Sequence, residues 1–67
     1  METVTIKVGG MTCEGCVRSV TNALQDLPHI GAVEVSLVRG EAVIEHGPLV
    51  SEADIRQAIE DAGFEAA

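Results

Sequence analysis

The sequence predicts an α+β sandwich of element order βαββαβ, in which a four-stranded antiparallel sheet carries two helices on one face. Two observations carry most of that prediction: apolar and polar residues alternate in three short stretches, and apolar residues recur at helical spacing in two others. A third is the punctuation, because Gly9-Gly10, Pro28, Gly40, Gly47-Pro48 and Gly63 fall between those stretches.

Residues 3–8 form the first strand, with Val4, Ile6 and Val8 on one face and Thr3, Thr5 and Lys7 on the other. Beyond Gly9-Gly10, the spacing of Val17, Val20, Leu24 and Leu27 predicts a helix over about 14–26, ended by Pro28 and Gly31. Alternation returns over 32–38 with Val33, Val35 and Leu37, and Arg39-Gly40 reads as the turn of a hairpin whose second arm is 41–46. Gly47-Pro48 ends that hairpin. Ser51 with Asp54 has the spacing of a capping box, and Val50 with Ile55 that of a hydrophobic staple, so a second helix begins there. Its stripe is Ile55, Ala58, Ile59 and Ala62, and Gly63 stands where a left-handed C-terminal cap is expected. Residues 64–67 supply a short edge strand, which completes a ferredoxin-like arrangement in a single domain, 1–67.

A chain of 67 residues buries only about 60% of the surface its unfolded form exposes. With Phe64 its only aromatic residue, the core is aliphatic and leaves little room for an enclosed substrate pocket, so an enzyme is not expected. Eleven acidic residues against four basic ones give a net charge of −7, the wrong sign for holding phosphate backbones, and nucleic acid is excluded as a partner. No apolar run of about 20 residues is available to span a bilayer, and residues 1–4 lack the basic segment of a secretory signal. The chain is therefore expected in the cytoplasm without membrane insertion, where paired cysteines serve metals or redox chemistry more often than structural bridges.

Cys13 and Cys16 lie at the junction of the glycine loop and the first helix, where side chains three apart share a face and two sulfurs can meet one ion. Unpaired N–H groups and the partial positive charge of a helix N-terminus favour the thiolate, which is the ligand form. A soft thiolate pair suits Cu(I), which is content with two donors, whereas structural Zn(II) wants four. Cys13-x2-Cys16-x12-His29 begins a zinc-finger spacing, but sixteen residues separate His29 from His46 where three to five are required. A thiol–disulfide oxidoreductase uses the same C-x-x-C, yet the chain is too short for a thioredoxin fold.

The run Gly10-Met11-Thr12-Cys13-Glu14-Gly15-Cys16 resembles the signature Gly-Met-Thr-Cys-x-x-Cys of the heavy-metal-associated domain family. Val35-Ser36-Leu37 and Ala58-Ile59-Glu60-Asp61-Ala62-Gly63-Phe64 extend the resemblance over nearly the whole chain. The family holds copper chaperones, the amino-terminal domains of copper-transporting P-type ATPases, and mercury-binding proteins. The resemblance implies that Cys13 and Cys16 ligate Cu(I), with Ag(I), Hg(II) or Zn(II) as further ions in vitro. It also implies that the partner is a copper-transporting P-type ATPase or its soluble metal-binding domain, and that the chain is a monomer, or a dimer bridged by a shared ion.

By the same resemblance Met11 supports the loop from the core, although its thioether is itself a soft donor. Phe64 shields the loop or simply fills the core, and Phe there is similar to the ATPase domains, where free bacterial chaperones more often carry Tyr. Thr12 favours copper, since family members that handle zinc often carry Asp before the first cysteine. Glu14 reads as a solvated first-turn acid, His46 as a packing residue and His29 as an exposed loop residue in a position where Gly is common.

Overall fold

The computed structural model describes residues 2–67. Strand β1 (Glu2–Gly9) buries Ile6 and Val8 and exposes Thr3, Thr5 and Lys7, as its alternation requires. Helix α1 (Glu14–Gln25) buries Val20 and Leu24. It stops one residue earlier than its periodicity suggests, because Asp26 caps it through an N–H to Asn22 O bond of 3.1 Å and Leu27 N–H tightens the exit onto Leu24 O at 3.2 Å. After Pro28 the chain reverses at His29, whose φ of +61° lies in the left-handed region that favours glycine.

Strand β2 (Ile30–Ser36) begins and ends two residues before the expected 32–38. Ile30 pairs with His46 and Val33 with Ile44, so three steps on β2 face two on β3, and the ladder shifts between them. Such a bulge changes which side chains point inward, which hides the start of the strand from an alternation test. At the other end Ser36 pairs with Glu41, and residues 37–40 form the turn in place of Arg39-Gly40 alone. Arg39 N–H donates to Ser36 Oγ at 3.2 Å, and Gly40, at φ +62°, closes it. Val38 thereby leaves the sheet and is 97% exposed.

Strand β3 (Glu41–His46) has the expected bounds and buries Ala42, Ile44 and His46. Helix α2 (Glu52–Asp61) opens with the capping box read from the sequence: Asp54 N–H donates to Ser51 Oγ at 3.2 Å and Ser51 N–H to an Asp54 carboxylate oxygen at 3.1 Å. It closes in a Schellman motif, with Gly63 N–H on Glu60 O, Phe64 N–H on Ile59 O, and Gly63 at φ +96°. Strand β4 (Glu65–Ala66) then pairs with Val8 and Gly9.

The sheet order is β2-β3-β1-β4, and the strand pairs are antiparallel, giving the expected ferredoxin-like fold. Ile6, Val8, Ala42 and Ile44 from the sheet form one core with Val20, Leu24, Ile55 and Ile59 from the helices. Two ends follow from this topology. Lys7 pairs with Glu41 and Val8 N–H reaches Gly40 O, so the β2–β3 turn flanks the end of β1, while Glu2 pairs with His46 at the opposite end. No helix among the described residues is long and apolar enough to cross a membrane.

Candidate metal centre

The loop from β1 to α1 starts at Gly10, whose φ is +92° and whose Cα faces the Phe64 ring: a Cβ there would lie 3.6 Å from Phe64 Cδ1. Glycine is thus required by backbone conformation at this turn. The loop ends at Cys13, the N-cap of α1, extended at φ −158° and ψ 170°. Its carbonyl accepts from Cys16 N–H at 3.1 Å and Val17 N–H at 3.3 Å, while its sulfur makes no capping bond and is free for a ligand.

Cys16 occupies the third helical position. The N-cap and third positions are those that bond reciprocally in a capping box, each side chain to the other's backbone N–H, as Ser51 and Asp54 do on α2. On α1 the same spacing brings two sulfurs to 3.4 Å instead. Both thiols are free, Cys13 exposed and Cys16 half-buried. The backbone amide of Thr12 and then the Cys13 side chain hold the Cys16 thiol below the ordinary thiol range, helped by the Thr12 hydroxyl 4.0 Å away, against a smaller opposing effect of desolvation. In the sequence Thr12 bears only on selectivity. Its part in stabilising the Cys16 thiolate depends on the path of the loop, and residue spacing gives no sign of it.

This asymmetry has a measurable consequence. In metal-free protein, alkylation of Cys16 by iodoacetamide, followed by mass spectrometry across pH, is expected to reach its midpoint below that of an ordinary thiol, because the thiolate is the reactive form. Thr12→Val is expected to raise that midpoint only in part, since the amide remains. A Cys16 midpoint at or above the ordinary value would contradict the assigned donors.

Met11 and Phe64 are half-buried and pack against the core, as the resemblance implies for Met11. Glu14 is an exposed acid in the first turn of α1. His46 is 6% exposed, with Nδ1 3.1 Å from Gly47 O, and His29 O accepts from Gly47 N–H at 2.9 Å. Both histidines therefore sit at the far end of β3, a strand of six residues, about 17 Å from the end that borders the glycine loop. Among the described residues, no group of three or more His, Cys, Asp or Glu side chains is placed to hold a metal.

The profile of the heavy-metal-associated domain matches residues 5–65. The copper-transporting ATPase RAN1 of Arabidopsis thaliana is 46% identical over 59 residues, covering 87% of this chain and 6% of that protein. Among solved structures, a copper-binding domain from the P-type ATPase HMA7 superposes with a TM-score of 0.98 at 41% identity, covering 100% of this chain and 92% of that one. The CopZ metallochaperone superposes at 0.94 with 25% identity, covering 98% of this chain and 100% of that one. The curated relatives are much longer: the chain spans 4% of a rat copper-transporting ATPase and 7% of a fission-yeast one.

Proposed function

Because the chain belongs to the heavy-metal-associated domain family, we propose that it carries one Cu(I) ion between Cys13 and Cys16 and passes it by ligand exchange to a copper-transporting P-type ATPase or its metal-binding domain, with no turnover of its own. The observation that carries this reading is the pair of sulfurs 3.4 Å apart on a helix N-terminus, joined by no third His, Cys, Asp or Glu among the described residues. With a metal–sulfur bond of about 2.3 Å, sulfurs stand about 4.6 Å apart across a linear ion and about 3.8 Å apart on a tetrahedral one. Either ion requires the pair to open, and the exposed N-cap Cys13 is the partner free to move. Spacing therefore does not choose the ion. Donor count supports Cu(I), because two soft thiolates complete it and leave Zn(II) two donors short.

Transfer is a substitution without electron transfer. A thiolate of the acceptor bonds to Cu(I) from the open side, giving a three-coordinate bridge. Cys13 then releases, a second acceptor thiolate binds, and Cys16 releases last; the freed thiolates take up protons from solvent. No naked ion forms at any step.

A second reading, a delivery domain within a copper-transporting ATPase, is favoured by the higher identity to the HMA7 domain, 41%, than to CopZ, 25%. The site chemistry is the same in both. To test transfer, Cu(I)-loaded protein is mixed with an apo copper-ATPase metal-binding domain that has a basic face, and the copper distribution is read after rapid separation. Copper is expected to equilibrate between the two without released ion, more slowly as salt rises from about 0.02 to 0.5 M, because a chain of charge −7 steers its partner only within the Debye length. Transfer that proceeds only through free copper would refute ligand exchange, and a rate indifferent to salt would remove the steering.

A further inference from the structure

Apart from the cysteine loop, the helical layer carries a cleft of about 420 Å³. Leu27, Leu49, Val50 and Ala58 line it together with Asp54 and Asp61. Leu49 is 74% exposed, although it sits directly beside the buried Val50. Asp54 and Asp61 both lie on α2, seven residues and so about 10.5 Å apart along its axis. Each carboxylate gives up only part of its acceptor capacity within the chain: Asp54 accepts from Ser51 N–H, and Asp61 Oδ1 from Gln57 Nε2 at 2.9 Å. An apolar lining beside two exposed anions is the complement of an amphipathic, basic segment.

We propose that this cleft docks a helical segment of a partner protein that presents aliphatic side chains flanked by Lys or Arg at positions i and i+7. A second copy of the chain is a poor occupant. It carries net charge −7, and of its four basic residues Lys7 and Arg39 are paired with Glu41 and Arg56 with Glu52, which leaves Arg18 alone to meet two anions. The cleft is lined by neither cysteine, so the proposal stands apart from the copper reading, and copper binding measured on the same sample distinguishes a failure of one from a failure of the other.

The test titrates a 14-residue amphipathic peptide, with Leu at i+3 and i+4 and Lys at i and i+7, into 15N-labelled protein while amide shifts are recorded. Shifts are expected to concentrate at Leu49, Val50, Gln57, Ala58 and Asp61. The same peptide with Glu in place of Lys is expected to bind at least about tenfold more weakly, and Leu49→Ser and Asp61→Asn each to weaken binding several-fold, about threefold or more. Both substituted side chains are exposed, so the fold is retained. Shifts centred on the cysteine loop, equal binding of the acidic peptide, or no saturable binding by about 1 mM would overturn the proposal. Shifts that depend on protein concentration without peptide would assign the cleft to a second copy and overturn it as well.

Discussion

Replacing Cys16 by serine is expected to lower Cu(I) affinity by more than about a thousandfold in competition with a Cu(I) chelator, while the fold is retained. A hydroxyl is a hard, protonated donor at neutral pH, so Cys16→Ser leaves the ion with one thiolate and no compensating ligand. Cys13→Ser removes the same count of soft donors and is expected to act comparably. The fold survives because Cys13 is exposed, Cys16 is half-buried, and neither belongs to the buried core. The backbone bonds that start α1 run through Cys13 O, which serine keeps. Affinity unchanged in either variant would show that the two sulfurs are not the ligands.

A large loss of stability is expected from Ile59→Ala. Ile59 is fully buried in the core between the helices and the sheet, and its carbonyl accepts the Phe64 N–H that closes α2. Truncating such a side chain costs about 2–5 kcal/mol. A domain of this size holds only about 0.05–0.15 kcal/mol of stability per residue, and its melting temperature falls by roughly 4–8 °C for each kcal/mol lost. Thermal unfolding followed by circular dichroism should therefore drop by about 10 °C or more, with a substantial unfolded fraction near physiological temperature. Cu(I) should raise the melting temperature of the variant, since an ion that binds only the folded chain shifts the equilibrium toward it. A variant that melts with the parent would mean that the core does not depend on this contact.

What could be read from the sequence was mostly local. The capping box at Ser51 and Asp54, the glycine cap at Gly63 and the cysteine pair are all fixed by side chains or backbone within three or four residues, so spacing alone carries them. The β3 bounds were equally legible, because its alternation is unbroken. The start of β2 was not. Its bulge is set by pairing with a strand more than ten residues away, and alternation cannot register a shift that the partner strand imposes. Alternation extends the strand to Val38 for a related reason: Val33, Val35 and Leu37 keep the period up to the turn, and only the Ser36 to Glu41 pairing shows where the sheet ends.

The candidate site divides the same way. That both cysteines belong to one helix start was legible, but their different surroundings were not, because Thr12 reaches Cys16 through the three-dimensional course of the loop. The packing of His46 was expected, and its 6% exposure agrees. The left-handed backbone of His29 was not foreseen, although the glycine common there in the family resemblance is the residue such a conformation favours.

The most direct measurement is a side-by-side titration of the reduced protein with Cu(I) and Zn(II), each against a competing chelator of known affinity. Two thiolates without further donors predict one Cu(I) per chain, held many orders of magnitude more tightly than Zn(II), and weak zinc binding that improves only when two chains share the ion. Equal or tighter binding of Zn(II) to a single chain would contradict the account at its base.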